Sequence, residues 1–247
     1  MSNCLQYLSL LVTLLIATSL NAQETCSEEV KLLLSPAQVQ AAITALKARQ
    51  ETHGRVYFYD TPALDLLSKG LILRFRDRAE VDLTAKLRAL PGQKFVTPSG
   101  VGDDYKCELD FNDGVETESF SVVNKYVTAK APVTGEELSQ RLSEGQKKLL
   151  RDAKVQIDWK RVKRIAEIQS TNWTSRANPP LGKLSVELWV WPGGSIFEVS
   201  TRVAPDARLA TFVELRDLAN KKGLSLDTNQ RSKTTIALGE IAAAHQQ

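Results

Sequence analysis

Apolar and polar positions alternate with a period of two in several separate runs of the chain. In LILRFRDR (71–78), Leu71, Leu73 and Phe75 fall on one side of an extended backbone, and Ile72, Arg74, Arg76 and Arg78 on the other. The same period predicts strands at 28–34 (EEVKLLL), 55–61 (RVYFYDT), 103–111 (DDYKCELDF), 161–175, 183–191 (KLSVELWVW) and 195–203 (SIFEVSTRV). Residues 82–90 read as the hairpin partner of 71–78, and Pro192-Gly193-Gly194 as a turn. Helices are expected at 35–50, where Ser35 stands as N-cap before Pro36, at 135–153, at 204–223 with a stop at Gly223, and at 234–244. Residues 62–70 read as a short helix or turn ending at Gly70. Strands at hairpin spacing with helices only at intervals predict an α+β fold, an antiparallel β-barrel or sheet with helices packed outside it.

The first 22 residues depart from this pattern. LQYLSLLVTLLIATSL carries no charge and leads into Leu20-Asn21-Ala22, a small-residue cleavage site. Residues 1–22 therefore read as a signal peptide, although a basic n-region is missing, and residues 23–247 as one domain. The apolar run is short and broken by Thr and Ser, so no stable membrane anchor is expected. The expected location is secreted or periplasmic. Cys4 leaves with the signal, and Cys26 and Cys107 remain as an even pair in an oxidising compartment. They form either a bridge contributing about 4 kcal/mol or two free buried thiols.

Composition adds mainly exclusions. The 247 residues carry a net charge of +3, too weak to advertise a nucleic-acid surface, so no nucleic acid partner is expected. His53 and His245 are the only histidines, and neither has a nucleophile motif beside it. There is no GxxxxGK[ST] loop and no CxxC pair. Asn172-Trp173-Thr174 is a glycosylation sequon.

The charged strand faces are the informative feature. Arg74 and Arg76 share a face, as do Thr84, Lys86 and Arg88; Lys106, Glu108 and Asp110; and Glu198, Ser200 and Arg202, while Glu187 alternates with Ser185 and Trp189. A single strand of this kind is an ordinary solvated sheet face. Several of them, each with an apolar opposite face, also suit a barrel whose polar sides point inward and line a wet lumen. Arg and Lys there would grip a polyanion, and the carboxylates beside them would need a hard cation such as Mg²⁺.

VYFYDTPALDLLSKGLILRFRDR, followed by LTAKLRA and YKCELDF, resembles the CYTH domain, the adenylyl cyclase and thiamine triphosphatase group also called triphosphate tunnel metalloenzymes. KLSVELWVWPGGSIFEVS and GLSLDTNQRSKTTIAL keep the same order, so the resemblance covers about residues 27–240. It implies a barrel-shaped tunnel that binds triphosphate groups through Arg and Lys, with a divalent cation, Mg or Mn, on carboxylates. Carried over residue by residue, it implies catalytic roles for Glu29, Lys31 and Glu198. It assigns phosphate binding to Arg74, Arg76, Lys86, Arg88, Arg164 and Lys233, and metal binding to Glu29, Glu108, Asp110, Glu187 and Glu198. Two positions depart from the family pattern: Ser27 replaces the first Glu of Glu-x-Glu-x-Lys, and Ser200 the second Glu of a late Glu-x-Glu.

The implied function is metal-dependent hydrolysis of inorganic triphosphate, polyphosphate or an organic triphosphate. The alternative, which the two serines favour, is a non-catalytic binder of polyphosphate or another anion. A cyclase ranks below both, because nucleotide substrates are scarce outside the cytoplasm. A lumen of Arg and Glu argues against a lipid carrier.

Overall fold

The computed structural model describes residues 26–90, 105–126, 130–178, 181–204 and 206–245. The signal-peptide reading of 1–22 and Cys4 lie outside the described residues. Nine strands form the wall: β1 (Ser27–Leu34), β2 (Arg49–Asp60), β3 (Leu71–Asp77), β4 (Val81–Arg88), β5 (Tyr105–Asn112), β6 (Val115–Tyr126), β7 (Lys163–Arg176), β8 (Lys183–Trp191) and β9 (Gly194–Val203). They close in the order β1-β5-β6-β4-β3-β2-β7-β8-β9, with β9 returning to β1. Every neighbouring pair is antiparallel except β1 and β5, so the barrel is mixed and not purely antiparallel as expected. The reason is parity: alternating directions cannot close around an odd number of strands, so at least one neighbouring pair must run parallel.

The ninth strand is β6, which the alternation did not announce. Its outward apolar residues, Phe120 and Val122, are few, and its first half, Val115 to Ser119, is polar or exposed. The available signal was Asp113-Gly114 between β5 and β6. Both residues have positive φ, 46° and 81°, as a two-residue hairpin turn requires.

Helical boundaries also shift. The expected helix 35–50 is a 3-10 turn, Pro36–Gln38, followed by α1 (Val39–Ala45), and the remainder joins β2. The expected helix 135–153 is two helices, α2 (Gly135–Gln140) and α3 (Glu144–Asp152). Ser143 restarts the chain through a capping box with Gln146. The Gln146 amide is fully buried and donates to the Leu83 and Val122 carbonyls at 2.7 and 3.1 Å, which pins α3 over β4 and β6.

Helices α1 and α2 each place a buried residue, Ala42 and Leu138, against the wall, and α3 and α4 (Arg208–Lys221) cover more of it. Leu149 and Leu150 of α3 pack on the outward residues Phe75, Leu83, Phe120 and Val122. Phe212 and Leu215 of α4 pack on Val30, Leu32 and Leu34. The last helix, α5 (Lys233–Ala244), departs from the expectation of helices outside the barrel. Its Ile236, Ala237 and Leu238 join Leu33, Val56, Phe58, Ile72, Ile168, Trp189 and Ile196, which sit on the inner faces of their strands. This apolar plug joins α5 to the inner faces of β1, β2, β3, β7, β8 and β9, and takes no residue from β4, β5 or β6.

Entry to β3 is fixed by Asp60 of the YFYDTP run. Its carboxylate accepts from the backbone N–H of Thr61, Leu66 and Leu67 at 2.7, 2.8 and 2.9 Å. Gly70 then turns the chain with φ 76°, and a Cβ there would lie 2.2 Å from the Arg88 carbonyl.

Cys26 and Cys107 are disulfide-bonded, with Cα atoms 4.6 Å apart and a sequence separation of 81. The bridge ties the start of β1 to β5 along the one parallel seam. Replacing both cysteines by serine should lower stability by about 2–4 kcal/mol in urea unfolding under oxidising conditions. An unchanged midpoint would mean that the bridge does not constrain the chain in solution.

Candidate functional site: a charged pocket inside the barrel

The strand alternation decides what enters the lumen. On β3 the even positions face in, so Arg74 and Arg76 follow Ile72 away from the plug. Their cross-strand partners on β4 are Thr84 and Asp82. Lys86 and Arg88 continue the inner face of β4, opposite Ser121 and Ser119 of β6. Glu108 and Asp110 come from β5, Glu29 and Lys31 from β1, Glu198 and Ser200 from β9, and Glu187 from β8. Lys233, the first residue of α5, reaches in from the plugged end and donates to Glu187 and, at 2.6 Å, to Glu198.

The lumen charges fall into three groups of ion pairs, around Asp110, around Glu187 and at Arg76–Asp82. Lys31 lies 2.7 Å from Asp110 and 3.2 Å from Glu29. Lys86 lies 2.7 Å from Glu108, and Arg88 lies 3.7 Å from Asp110 and donates to Ser232 just before α5. Arg76 grips Asp82 through Nε and a terminal nitrogen, each at 2.8 Å. Arg78 crosses to Glu187 and to Ser170 at 2.8 Å. Its path lies over Gly54, where a Cβ would meet the Arg78 Cγ at 2.6 Å.

These partners set the titration behaviour. Burial works against the Lys31 ammonium, but Asp110, Glu29 and Glu198 outweigh it and hold its pKa well above the usual lysine value. Burial would raise Glu108, yet the neighbouring Lys86 brings it down to about 2. Asp110 and Glu187 are likewise held well below the carboxylate range despite burial, by Lys31 and by Lys233 respectively. For Lys86, burial wins and its pKa falls.

Arg74 behaves differently. Burial and the adjacent Arg76 and Arg78 charges push its pKa down to about 9, and its Nε is buried without a hydrogen-bond partner among the described residues. A guanidinium does not give up its proton in a protein, so this shift reads as an unmet demand for an anion. The Nε atoms of Arg78 and Arg88 are orphaned in the same way. Buried polar groups are normally satisfied, so three unsatisfied guanidinium donors around one lumen mark a place for acceptor oxygens.

The structure therefore brings together Glu29, Lys31, Arg74, Arg76, Lys86, Arg88, Glu108, Asp110, Glu187, Glu198 and Lys233. Arg164 is not among them. It is exposed on the outside of the barrel, with its guanidinium 5.3 Å from the centre of the outward Tyr57 ring. The resemblance implied phosphate binding for Arg164, but the register shifts by one between Phe58 and Tyr59 where β2 pairs with β7, and Arg164 lies beyond that shift, on the outer face. Residues the site reading missed are Arg78, Asp82 and Ser170. Arg78 shares the period-two face of Arg74 and Arg76. Asp82 shares the period-two face of Thr84, Lys86 and Arg88, and Ser170 is recognisable only from its donation to Glu187 at 2.8 Å.

Glu29, Asp110 and Glu198 are oxygen donors of the kind a hard divalent cation takes, but in this arrangement the Lys31 ammonium stands among them, and among the described residues no three of the lumen carboxylates converge to ligand spacing. The two serines at family-departing positions do not add to it. Ser27 donates to the Cys107 carbonyl at 3.3 Å, and Ser200 donates to Glu29 at 2.8 Å.

The same fold occurs in solved structures. HpAC1 from Hippeastrum, described as an adenylyl cyclase with a dominant triphosphatase activity, superposes with a TM-score of 0.55 at 20% identity, over 84% of this chain and 93% of that one. A Bacillus halodurans protein described as an adenylate cyclase gives a TM-score of 0.52 at 14% identity, over 85% of this chain and 96% of that one. The chain shares the closed-barrel fold of these proteins. No family model and no curated protein matches the sequence itself. Within this fold the charged lumen and the plug stand on this chain's own residues. Among the described residues no helix is long and apolar enough to cross a membrane.

Proposed function

We propose that the lumen binds a triphosphate-type anion and hydrolyses it with the help of a divalent cation. The observation that carries this reading is Arg74, a guanidinium inside the barrel whose Nε has no acceptor among the described residues. Arg74, Lys86, Arg88 and Lys233 would hold phosphate oxygens, with Arg76 and Arg78 released from Asp82 and Glu187 as the anion enters. Mg²⁺ or Mn²⁺ held by Glu29, Asp110 and Glu198, with Glu108 and Glu187 beside them, would neutralise charge on the phosphoryl group. Water adds in line to the terminal phosphorus, the bridging P–O bond breaks, and the remaining phosphates leave as the shorter anion. Glu29, oriented by Ser200, takes the water proton.

The test is phosphate release from inorganic triphosphate, long polyphosphate and ATP, with Mg²⁺ or Mn²⁺ and with chelator. Release abolished by chelator supports the hydrolase. Tight triphosphate binding without turnover selects the second reading, an anion binder. That reading is favoured by Ser27, whose hydroxyl donates to the Cys107 carbonyl where the family pattern has a carboxylate, and by lumen carboxylates already held by resident cations.

Metal and anion should bind cooperatively. Without anion, the metal must compete with Lys31 for Glu29 and Asp110. Once phosphate oxygens occupy the ammonium and guanidinium groups, the carboxylates are free to hold it. Titration calorimetry of Mn²⁺ with and without a non-hydrolysable imidotriphosphate should show tightening by roughly 5- to 150-fold, the usual span of coupled sites. Equal Mn²⁺ affinity in both would remove the partner-exchange account.

We also propose that the protein works outside the cytoplasm, which the Cys26–Cys107 bridge supports. Protein recovered from a secreting host should begin near Gln23 by intact mass, and a full-length product would contradict this.

A further inference from the structure

A cavity of about 380 Å³ lies where the start of β7, the loop from β2 to β3 and the last turns of α5 meet. That volume is within the span of small-molecule sites, about 300–1,000 Å³. The residues that bind it in place are separate from the charged lumen: none of the lumen side chains lines it.

Leu64, Ile165, Ile241 and Ala242 supply its apolar wall. Two local departures from regular backbone bring them together. Phe58 of β2 pairs with Ala166 and Tyr59 with Arg164, so Ile165 is the extra residue of a β-bulge. Consecutive side chains of an unbroken strand point to opposite faces, whereas here Lys163, Arg164 and Ile165 all line one cavity. Leu64 sits at φ 58°, a conformation that a bulky residue rarely adopts. Its N–H donates to the Thr61 carbonyl and its carbonyl accepts from the Ser68 N–H, both at 2.9 Å, which holds it there. Leu64, Ile165 and Ile241 pack on the plug and yet stay only partly buried, so apolar surface is left facing the cavity.

The polar part of the lining has no negative member. Lys163, Arg164 and His245 supply it, and all three are exposed. The Arg164 guanidinium lies over the Tyr57 ring. Acidic groups that flank the lining in sequence are engaged elsewhere. Asp65 pairs with Arg161 at 3.2 Å, Glu167 with Arg55 at 3.5 Å, and Asp60 accepts from backbone N–H groups. Glu240 of α5 is exposed and does not line the cavity. A basic rim around an apolar wall is complementary to an anion with a hydrocarbon body. The head group meets Lys163 and Arg164, and the chain covers Leu64, Ile165 and Ile241.

We propose that this cavity is a second binding site, for a small amphiphilic anion: a monocarboxylate on an unbranched hydrocarbon chain. The proposal does not rest on the triphosphate reading, and either can fail alone.

Calorimetry on the intact oxidised protein tests it with octanoate, hexanoate and octylammonium, each below its micellar range. Octanoate should bind one per chain, and saturating triphosphate should leave that binding unchanged. Burial of two further methylenes should make octanoate roughly tenfold tighter than hexanoate, a gain that a charged lumen does not supply. Octylammonium, the same chain with the opposite charge, should bind at least about tenfold more weakly than octanoate. Ala242→Trp, which fills the cavity, should abolish octanoate binding. Lys163→Glu, at an exposed position, should weaken it by roughly tenfold, so the test survives a failure of Ala242→Trp to fold. Thermal unfolding checks that both variants are folded. Octylammonium binding as tightly as octanoate would reduce the site to an apolar patch and overturn the proposal. Octanoate binding that triphosphate displaces, or that neither variant changes, would overturn it too, because the anion would then sit elsewhere. So would no binding at all. A dimer in sedimentation that Ala242→Trp dissociates and octanoate does not would give this face to a second copy of the chain instead.

Discussion

Replacing Arg74 by alanine should weaken triphosphate binding by roughly ten- to a hundredfold, whereas replacing its neighbour Phe75 should cost stability and little affinity. The two residues are adjacent in sequence and face opposite sides of one strand. Arg74 points into the lumen with an unpaired buried Nε beside Arg76 and Arg78. A charge-assisted hydrogen bond to an anion contributes about 1.5–3 kcal/mol, which sets the expected loss of affinity at about 1.4 kcal/mol per decade. Its removal should leave stability unchanged or improved, because a buried charge crowded by like charges is gone. Phe75 points outward, is fully buried, and packs on Tyr57, Leu83, Leu149 and Leu150 under α3. Its truncation should cost about 3–5 kcal/mol. Calorimetry and urea unfolding of both variants check the pair. Wild-type affinity in Arg74→Ala would return these arginines to an ordinary structural role.

Replacing Lys31 by methionine should be among the most damaging single changes in the lumen. The ammonium lies 2.7 Å from Asp110 and 3.2 Å from Glu29, and Glu198 acts on it as well. Without it these carboxylates face one another in a poorly solvated space. Breaking a buried pair by removing one partner costs about 3–5 kcal/mol. The pH dependence distinguishes this cause from lost packing. In the wild type, Asp110 and Glu108 have folded pKa values depressed by their cationic neighbours, Glu108 to about 2. Such groups contribute stability that is present above their unfolded pKa, near 4, and is lost as pH falls through the folded value. In Lys31→Met, Asp110 loses the strongest of those attractions and protonates at higher pH, which relieves the repulsion. The stability gap between variant and wild type should therefore be full at pH 7 and narrow below about pH 4. A gap independent of pH would assign the loss to packing alone.

Much of this arrangement was legible before any coordinates. Period-two alternation marks the inner and outer faces of β3, β4, β8 and β9, because side chains on a strand must alternate. That alone placed Arg74, Arg76, Lys86, Arg88, Glu187 and Glu198 opposite the residues that pack outward. Asp110 was reached the same way, Glu29 only through the resemblance, and Cys26, just before β1, is joined to Cys107 of β5 as their parity allows. The reading failed where local pattern carries little information. The strand β6 has too few apolar residues to stand out from a loop, and only Asp113-Gly114 betrayed it. Arg164 was misplaced by a one-residue shift in the pairing of β2 and β7, which flips every side chain beyond it.

The sequence by itself determined which residues share a face, and therefore which charges would gather if the sheet closed. Tertiary structure alone decided that the sheet closes with a single parallel seam, because parity of strand number is a property of the ring and not of any strand. It also decided which cations meet an acceptor. Arg74, Arg76 and Arg78 are equivalent in a period-two pattern, yet Arg76 finds Asp82, Arg78 finds Glu187 across the lumen, and the Arg74 Nε is left without one. The plug was equally invisible. Trp189, Ile72 and Leu33 read as inner-face apolar residues with no stated purpose until α5 folds over them, since burial there depends on a helix more than forty residues away from the nearest of them. Contacts between elements distant in sequence are set by packing of the whole chain, and no local spacing encodes them.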